Sequence, residues 1–389
     1  MLVLGDRVNL LVCQKSKIDD WFEHFKEYYS DQFELYNLTK PKQYNDYITA
    51  CRRSNSPATR SKMILGIINY DLIFRRPELK SCDLGTLMLD ESSMIQNESA
   101  KRSNFILKLF PKNVILLSGT PTSGKYERLY SQLHLLGWGI SKKLYWNQYI
   151  VCEWRDDLPI PIVTGYKNVD RLKQKLREHG AVFMKAENVL DLPEQTFINV
   201  RVPKSKEYAR FHKNKLLELD DLVLVGDTPL TEMLYKRKLC GVYSKSKLEA
   251  FKDLVESTEE RLIVFYNFTN EMLEMRSICE KLKRPISIVN GSLHDLDAYE
   301  NADNSITFIQ YQAGSMGLNL QKANKIVYFT PPLSSEHYEQ SKKRIHRIGQ
   351  KRPCYYYNLV VTNSIEETIY SVLKQRKDFT DALFVLNTL

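Results

Sequence analysis

Two acidic residues, Asp90 and Glu91, close the apolar run LGTLMLDESS. Carboxylates at the C-terminal end of a buried strand lie on the ligand edge of an α/β sheet. There one can hold Mg²⁺ through its water shell while the other orients a water. The next apolar run leads into LLSGTPTSGKY, where Gly119, Gly124 and Lys125 approach the phosphate-cradling pattern G-x-x-x-x-G-K-[ST]. An apolar strand precedes this loop and a helical stretch follows it. Three features oppose that reading: Tyr126 stands where a Ser or Thr hydroxyl would meet Mg²⁺, Pro121 removes one backbone N–H from the cradle, and the acidic strand comes before the loop rather than after it. A third group lies in YEQSKKRIHRIGQ, where the spacing of Gln340, Arg344 and Arg347 predicts one helix face. Guanidinium groups bind phosphate bidentately and are always charged, which suits a phosphate at an interface; an isolated R-x-x-R is also an ordinary basic surface helix.

The elements that must position these residues read as short apolar strands alternating with amphipathic stretches. In the first part the strands are Val8–Cys13, Met63–Ile68, Thr86–Asp90 and Val114–Leu117. In the second they are Arg261–Phe265, Ile286–Val289, Ile306–Gln310, Lys325–Phe329 and Tyr355–Val360. Uninterrupted apolar runs without alternation suit parallel strands covered on both faces, so the pattern predicts two α/β domains. Between them, 137–185 is rich in aromatics and charges, Lys204–Lys247 reads as mainly helical, and Leu190–Pro203, with two prolines, reads as a connection. The segment 43–62 contains CRRSNSPATRSK and reads as a solvated loop.

The chain has 389 residues, 43% hydrophobic and 26% charged, with a formal charge of +9, a soluble globular balance that permits a polyanionic partner without requiring one. Its seven cysteines are scattered, odd in number and without a C-x-x-C pair, which excludes a disulfide framework or a zinc site and suits reduced thiols in a cytoplasm. No apolar run approaches membrane-spanning length, and MLVLGDR lacks the features of a signal peptide.

Taken in order, the motifs resemble those of superfamily 2 helicase-like ATPases of the Swi/Snf type, in their compact bacterial and phage form. LLVCQKSKIDDWFEHFKEY (10–28) resembles motif Ia, IINYDLI (67–73) motif Ib, LMLDESSMIQN (87–97) motif II and LLSGTP (116–121) motif III. RLIVFYNF (261–268) resembles motif IV, QAGSMGLNL (312–320) motif V and EQSKKRIHRIGQ (339–350) motif VI, and IEETIYSVLKQRK (365–377) resembles the closing helix. The resemblance implies an α/β fold of two RecA-like domains with parallel sheets and helical insertions, the first N-terminally truncated. Its expected boundaries are 1–136 for the first RecA-like domain, 137–203 for a helical and aromatic insertion and connection, and 204–389 for a helical insertion, the second RecA-like domain and the closing helix. It also makes SGTP the turn of motif III, with Gly124–Lys125 starting the next helix.

The family's motif I, a G-x-G-K-[ST] loop, lies upstream of motif Ia, and here motif Ia starts near residue 8. Losing three charge-assisted hydrogen bonds to phosphate, at ~1.5–3 kcal/mol each, removes about 4.5–9 kcal/mol of nucleotide binding. Three explanations stay open: motif I on a separate polypeptide, a truncated or mis-started gene, or a degenerate, nucleotide-independent DNA-binding or regulatory module. The resemblance implies a DNA-dependent ATPase and translocase with ATP and Mg²⁺ as cofactors and duplex DNA as partner, complete only with a motif I segment. By motif match Asp90 holds Mg²⁺ and Glu91 orients the attacking water. Arg344 and Arg347 act as arginine fingers and Gln340 senses the nucleotide. Gly317 and Asn319 of motif V, with Ser118 and Thr120 of motif III, couple the nucleotide to DNA. Gln14, Lys15, Ser16, Arg75, Asn267 and Ser315 are the candidate DNA contacts.

Overall fold

A computed structural model describes residues 1–53, 62–119, 121–122, 124–154, 161–182, 190–219, 222–314 and 318–384. The chain divides into two units, Met1–Phe183 with Phe379–Leu389, and Met184–Asp378.

The first unit is built on five parallel strands: β1 (Val8–Cys13), β2 (Phe33–Asn37), β3 (Met63–Asn69), β4 (Thr86–Asp90) and β5 (Asn113–Leu117), in the order β2-β3-β1-β4-β5. Every residue of β1 is buried. Val8, Leu10 and Val12 pack into a cluster on one face, while Leu11 and Cys13 join Ile18 and Phe25 of the helix Ile18–Tyr29 on the other. That two-sided burial is why the run shows no alternation. β2 escapes the sequence pattern because it is an edge strand with an exposed Glu34.

The residues 43–53, expected in a loop, lie instead in the helix Pro41–Arg53, which buries Tyr44, Tyr47, Ile48 and Cys51. Their i, i+3, i+4, i+7 spacing supplies the apolar stripe that the basic, polar tail concealed; residues 54–61 lie outside the described residues. The helix comes so close to the sheet that a Cβ on Gly66 would stand 2.8 Å from the Tyr47 ring.

At the other edge, β5 pairs with β4 from Thr86↔Asn113 to Asp90↔Leu117. Val114, Ile115 and Leu116 are half-buried and Leu117 is 38% exposed. Natural edge strands are usually blunted by charge, proline or a bulge; β5 has the composition of an interior strand. Beyond it, β6 (Ile150–Glu153) and β7 (Ile162–Tyr166) form an antiparallel hairpin. It packs with the helices Lys142–Tyr149 and Val169–Glu178 around Tyr145, Tyr149, Leu172 and Leu176.

The second unit contains β8 (Gln195–Val202), the hairpin β9 (Leu216–Leu219) and β10 (Leu222–Val225), then β11 (Leu262–Tyr266), β12 (Ile286–Val289), β13 (His294–Asp295), β14 (Ile306–Gln310), β15 (Lys325–Tyr328) and β16 (Cys354–Val361). The sheet order is β13-β12-β14-β11-β15-β16-β8, with only the short β13 antiparallel to its neighbour. The segment 190–203, read as a connection, therefore contributes an edge strand. β8 pairs with β16 along its whole length, from Cys354↔Gln195 to Val361↔Val202. Its polar alternation, Q-T-F-I-N-V-R-V, belongs to a strand with one open side and hid it.

The region 204–247 adds the helices Lys206–Asn214 and Pro229–Gly241 and the start of Lys245–Glu256, with the β9–β10 hairpin among them. All seven cysteines are free thiols. Among the described residues no helix is long and apolar enough to cross a membrane.

Candidate functional site

In the first unit the candidate chemistry gathers at the C-terminal ends of β4 and β5. Asp90 ends β4 and is half-buried. Its Oδ2 accepts a hydrogen bond from the Trp21 indole Nε1 at 2.8 Å. Tyr70, at the end of β3, donates its hydroxyl to the Asp90 carbonyl at 2.9 Å and lies 3.4 Å from the Glu91 carbonyl. Burial, with Asp90 next, raises the Tyr70 hydroxyl well above its ordinary range, so it stays a donor. Burial, then Asp90, also pushes the Cys13 thiol up to about 12, which keeps it neutral beside the carboxylate.

Glu91 adopts a left-handed conformation, φ 58° and ψ 58°, uncommon for a residue with a Cβ. Its Oε1 lies 3.4 Å from Ser93 Oγ and 3.5 Å from Ser118 Oγ, so the expected motif II and motif III residues do meet. The loop after Ser118 is tied to the motif II turn by its backbone. The Pro121 carbonyl accepts from Gln132 Nε2 (2.7 Å) and Gln96 Nε2 (3.3 Å), and Ser92 Oγ donates to Gln132 Oε1 (2.9 Å).

The Gly124 and Lys125 amides are spent within the turn, on Thr122 Oγ1 (3.1 Å) and the Thr122 carbonyl (2.9 Å). A phosphate cradle needs convergent free N–H groups, and these two are not available for one. Lys125 precedes a short 3₁₀ helix, Tyr126–Leu129. Thr120 lies outside the described residues.

Gln14, Lys15 and Ser16 follow β1 on this same edge, with Lys15 and Ser16 exposed. Arg75 is exposed, its guanidinium 5.7 Å from the Phe74 ring.

In the second unit the helix Ser335–Lys342 is capped by Ser334, whose Oγ accepts from the His337 N–H at 3.3 Å. Gln340 lies on it, with Nε2 3.4 Å from Glu336 Oε1. Arg344 and Arg347, expected on a helix face, lie beyond its end in a turn. Contacts with the preceding loop draw the chain off the helical path. The Leu320 N–H donates to the Arg344 carbonyl (3.1 Å), and Gln350 Nε2 to the carbonyls of Ala323 (2.8 Å) and Gln321 (3.0 Å). Gly349 completes the turn at φ 98°. Arg347 donates through Nη1 to Asn319 Oδ1, joining two predicted site residues. Ser315 and Gly317 lie outside the described residues.

Asn267, expected to face DNA, has its side-chain amide engaged internally. Nδ2 donates to Thr330 Oγ1 (2.9 Å) and lies within 3.2 Å of the Thr330 and Pro331 carbonyls. Beneath it sits Glu271, wholly buried, whose Oε2 accepts from the N–H groups of Asn267 (3.1 Å) and Phe268 (3.2 Å) and from Thr330 Oγ1 (2.9 Å). A Cβ on Gly241 would stand 1.9 Å from Glu271 Oε1, so only glycine leaves room for this carboxyl.

Burial pushes the Glu271 carboxyl up to about 7, against the opposing effect of the Phe268 and Asn267 amides. A carboxyl raised in the folded state holds its proton more tightly there. Its contribution to stability is complete below its ordinary value near 4.5 and is lost as pH rises through about 7. Glu271→Gln, neutral at every pH, is therefore expected to gain on the wild type by up to about 3 kcal/mol between pH 5 and 8. Urea midpoints at the two pH values measure it, and parallel profiles would contradict it.

Trp21, Tyr70 and Gln132 were not legible as site residues. Each looks like core in its own segment, and the only signal was position: Trp21 and Tyr70 follow β1 and β3 on the same sheet edge as Asp90. Among the described residues no three acidic, histidine or cysteine side chains cluster as a metal cage. One half-exposed carboxylate fits Mg²⁺, which keeps its waters and takes most other ligands from phosphate.

Parallel α/β sheets with acidic and basic groups near strand ends give the class of fold, and sequence comparison gives the family. Residues 6–283 match the SNF2-related domain and residues 246–349 the helicase conserved C-terminal domain; the chain belongs to the SNF2-related family. YwqA of Bacillus subtilis (strain 168) is 25% identical over 79% of this chain and 36% of its own length. The SWI/SNF-related matrix-associated actin-dependent regulator of chromatin subfamily A-like protein 1 of Xenopus tropicalis is 23% identical over 82% of this chain and 35% of its own. The ISWI chromatin-remodeling complex ATPase ISW1 of Saccharomyces cerevisiae is 22% identical over 94% of this chain and 35% of its own. The chain thus spans about a third of each of these relatives. The structure of the Sulfolobus solfataricus SWI2/SNF2 ATPase core in complex with dsDNA gives a TM-score of 0.40 at 18% identity, over 96% of this chain and 82% of that one.

Proposed function

We propose that this chain is the catalytic and DNA-tracking part of a duplex-DNA-dependent ATPase and translocase. The observation that carries the reading is the Asp90–Glu91 turn, oriented by Trp21, Tyr70 and Ser118 at the C-terminal edge of a parallel sheet. Family membership and the ATPase name of one relative support it. Asp90 is assigned to Mg²⁺, which supplies charge neutralisation for the phosphates of ATP when bound. Glu91 orients a water and accepts its proton. Arg344 and Arg347 supply fixed positive charge to the phosphates, with Asn319 setting the Arg347 fork, and Gln340 senses the bound nucleotide. Ser118 and Thr120 of motif III and Gly317 of motif V complete the coupling.

A phosphate cradle must join Asp90, and the open apolar edge of β5, next to β4, is where we place it. A strand added there, followed by a G-x-G-K-[ST] loop and a helix, would pair the β5 edge and present its amides beside Asp90.

Gln14, Lys15, Ser16, Arg75 and Ser315 are assigned to DNA phosphates, and Asn267 to holding the β11 and β15 ends that border them. Phosphate contacts carry no sequence information and release counterions. Duplex affinity is therefore expected to fall steeply with salt for every sequence, and Lys15→Ala to lower the log–log salt slope by about 1. Fluorescence anisotropy across a salt series measures both; a flat profile would reject the assignment.

A further inference from the structure

We infer that Trp21 is a positioning residue that fixes the Asp90 carboxylate for Mg²⁺; this rests on the reading of Asp90 as the metal carboxylate. Trp21 lies in the first turn of the helix Ile18–Tyr29, whose Ile18 and Phe25 anchor it to the sheet. Its ring packs at 6.0 Å from Phe25 and 6.0 Å from His24, so the indole plane is set by its own helix. The ring is only half-buried, and its N–H could have been left to water. It spans 69 residues of sequence to reach Asp90 Oδ2 at 2.8 Å.

An indole N–H can only donate, so its partner must be an acceptor, and here that acceptor is one oxygen of the Asp90 carboxylate. Among the described residues Asp90 Oδ1 accepts no hydrogen bond, and that oxygen is the one left for the metal. The choice of donor has an electrostatic reason. A lysine or arginine at this place would orient Asp90 equally well, but its charge would oppose a divalent cation. The indole orients without adding charge, and a hydrogen bond from an outer partner fixes the orientation of a metal ligand. The helix that carries Trp21 begins directly after the Gln14–Ser16 segment assigned to DNA, so one rigid element carries both the DNA-facing loop and the donor to Asp90.

Manganese binding to the chain, read by water-proton relaxation, tests this without turnover. Trp21→Phe keeps the ring and removes only the N–H. The expected result is manganese affinity about tenfold weaker in Trp21→Phe and at least as weak in Asp90→Asn. Weakening in Asp90→Asn with wild-type affinity in Trp21→Phe would overturn the role of Trp21 alone. Unchanged affinity in Asp90→Asn would overturn the metal reading and this inference with it.

A second measurement reads the indole N–H directly. The protein has four tryptophans, and in a ¹⁵N-labelled sample the indole signal absent from Trp21→Phe is expected to shift in Asp90→Asn. An unmoved signal would show that the indole does not hold the carboxylate.

Discussion

Arg347→Ala is expected to abolish DNA-stimulated ATP turnover in the enzyme reconstituted with its phosphate loop, while duplex DNA still binds. An arginine that meets transferring phosphate is worth about 10³–10⁵ in rate. Removing it leaves untouched the segments of the first unit assigned to DNA. The structure adds a second arm. Arg347 donates to Asn319, so Asn319→Ala frees the guanidinium without removing it. That variant is expected to lose far less, on the order of tenfold, one misdirected hydrogen bond at about 1.5 kcal/mol. Steady-state hydrolysis of the two variants, with anisotropy on the same duplex, separates chemistry from binding. Full turnover in Arg347→Ala would remove it from the site.

The second large effect concerns stability. Lys247 and Glu366 are both buried, with Nζ 2.6 Å from Oε1 and 2.7 Å from Oε2, and Oε2 also accepts from the Val361 N–H at 2.9 Å. The pair joins the helix Lys245–Glu256 to the helix Ile365–Phe384 at the end of β16. Lys247→Met leaves a buried carboxylate without its counterion and is expected to cost about 3–5 kcal/mol. Lys247→Met with Glu366→Gln is expected to recover most of that, because the buried charge goes with its partner. Urea denaturation of the single and double variants measures the difference; equal losses would mean that packing rather than charge sets the cost.

Legibility followed burial. β1, β4, β12 and β14 could be read to the residue because both faces of each are covered, so their sequences are mostly apolar and show no exposed polar face. β2 and β8 could not, since an edge strand has one side exposed to water and takes charges such as Glu34 and Arg201. Asp90, Glu91 and Ser118 were legible because chain order alone places strand ends at one sheet edge. Trp21 was not, because its partner is distant in sequence and an aromatic residue on an amphipathic helix reads as core. Arg344 and Arg347 were singled out by spacing, but not in the conformation they adopt. Their turn is set by hydrogen bonds from Leu320 and Gln350, which no local periodicity contains.

The most direct test of the central claim is ATP hydrolysis by this chain with duplex DNA, alone and with a polypeptide carrying a G-x-G-K-[ST] strand–loop–helix segment. The account predicts DNA-stimulated turnover only in the mixture, lost again in Glu91→Gln. Turnover by the chain alone, or turnover that survives Glu91→Gln, would contradict it.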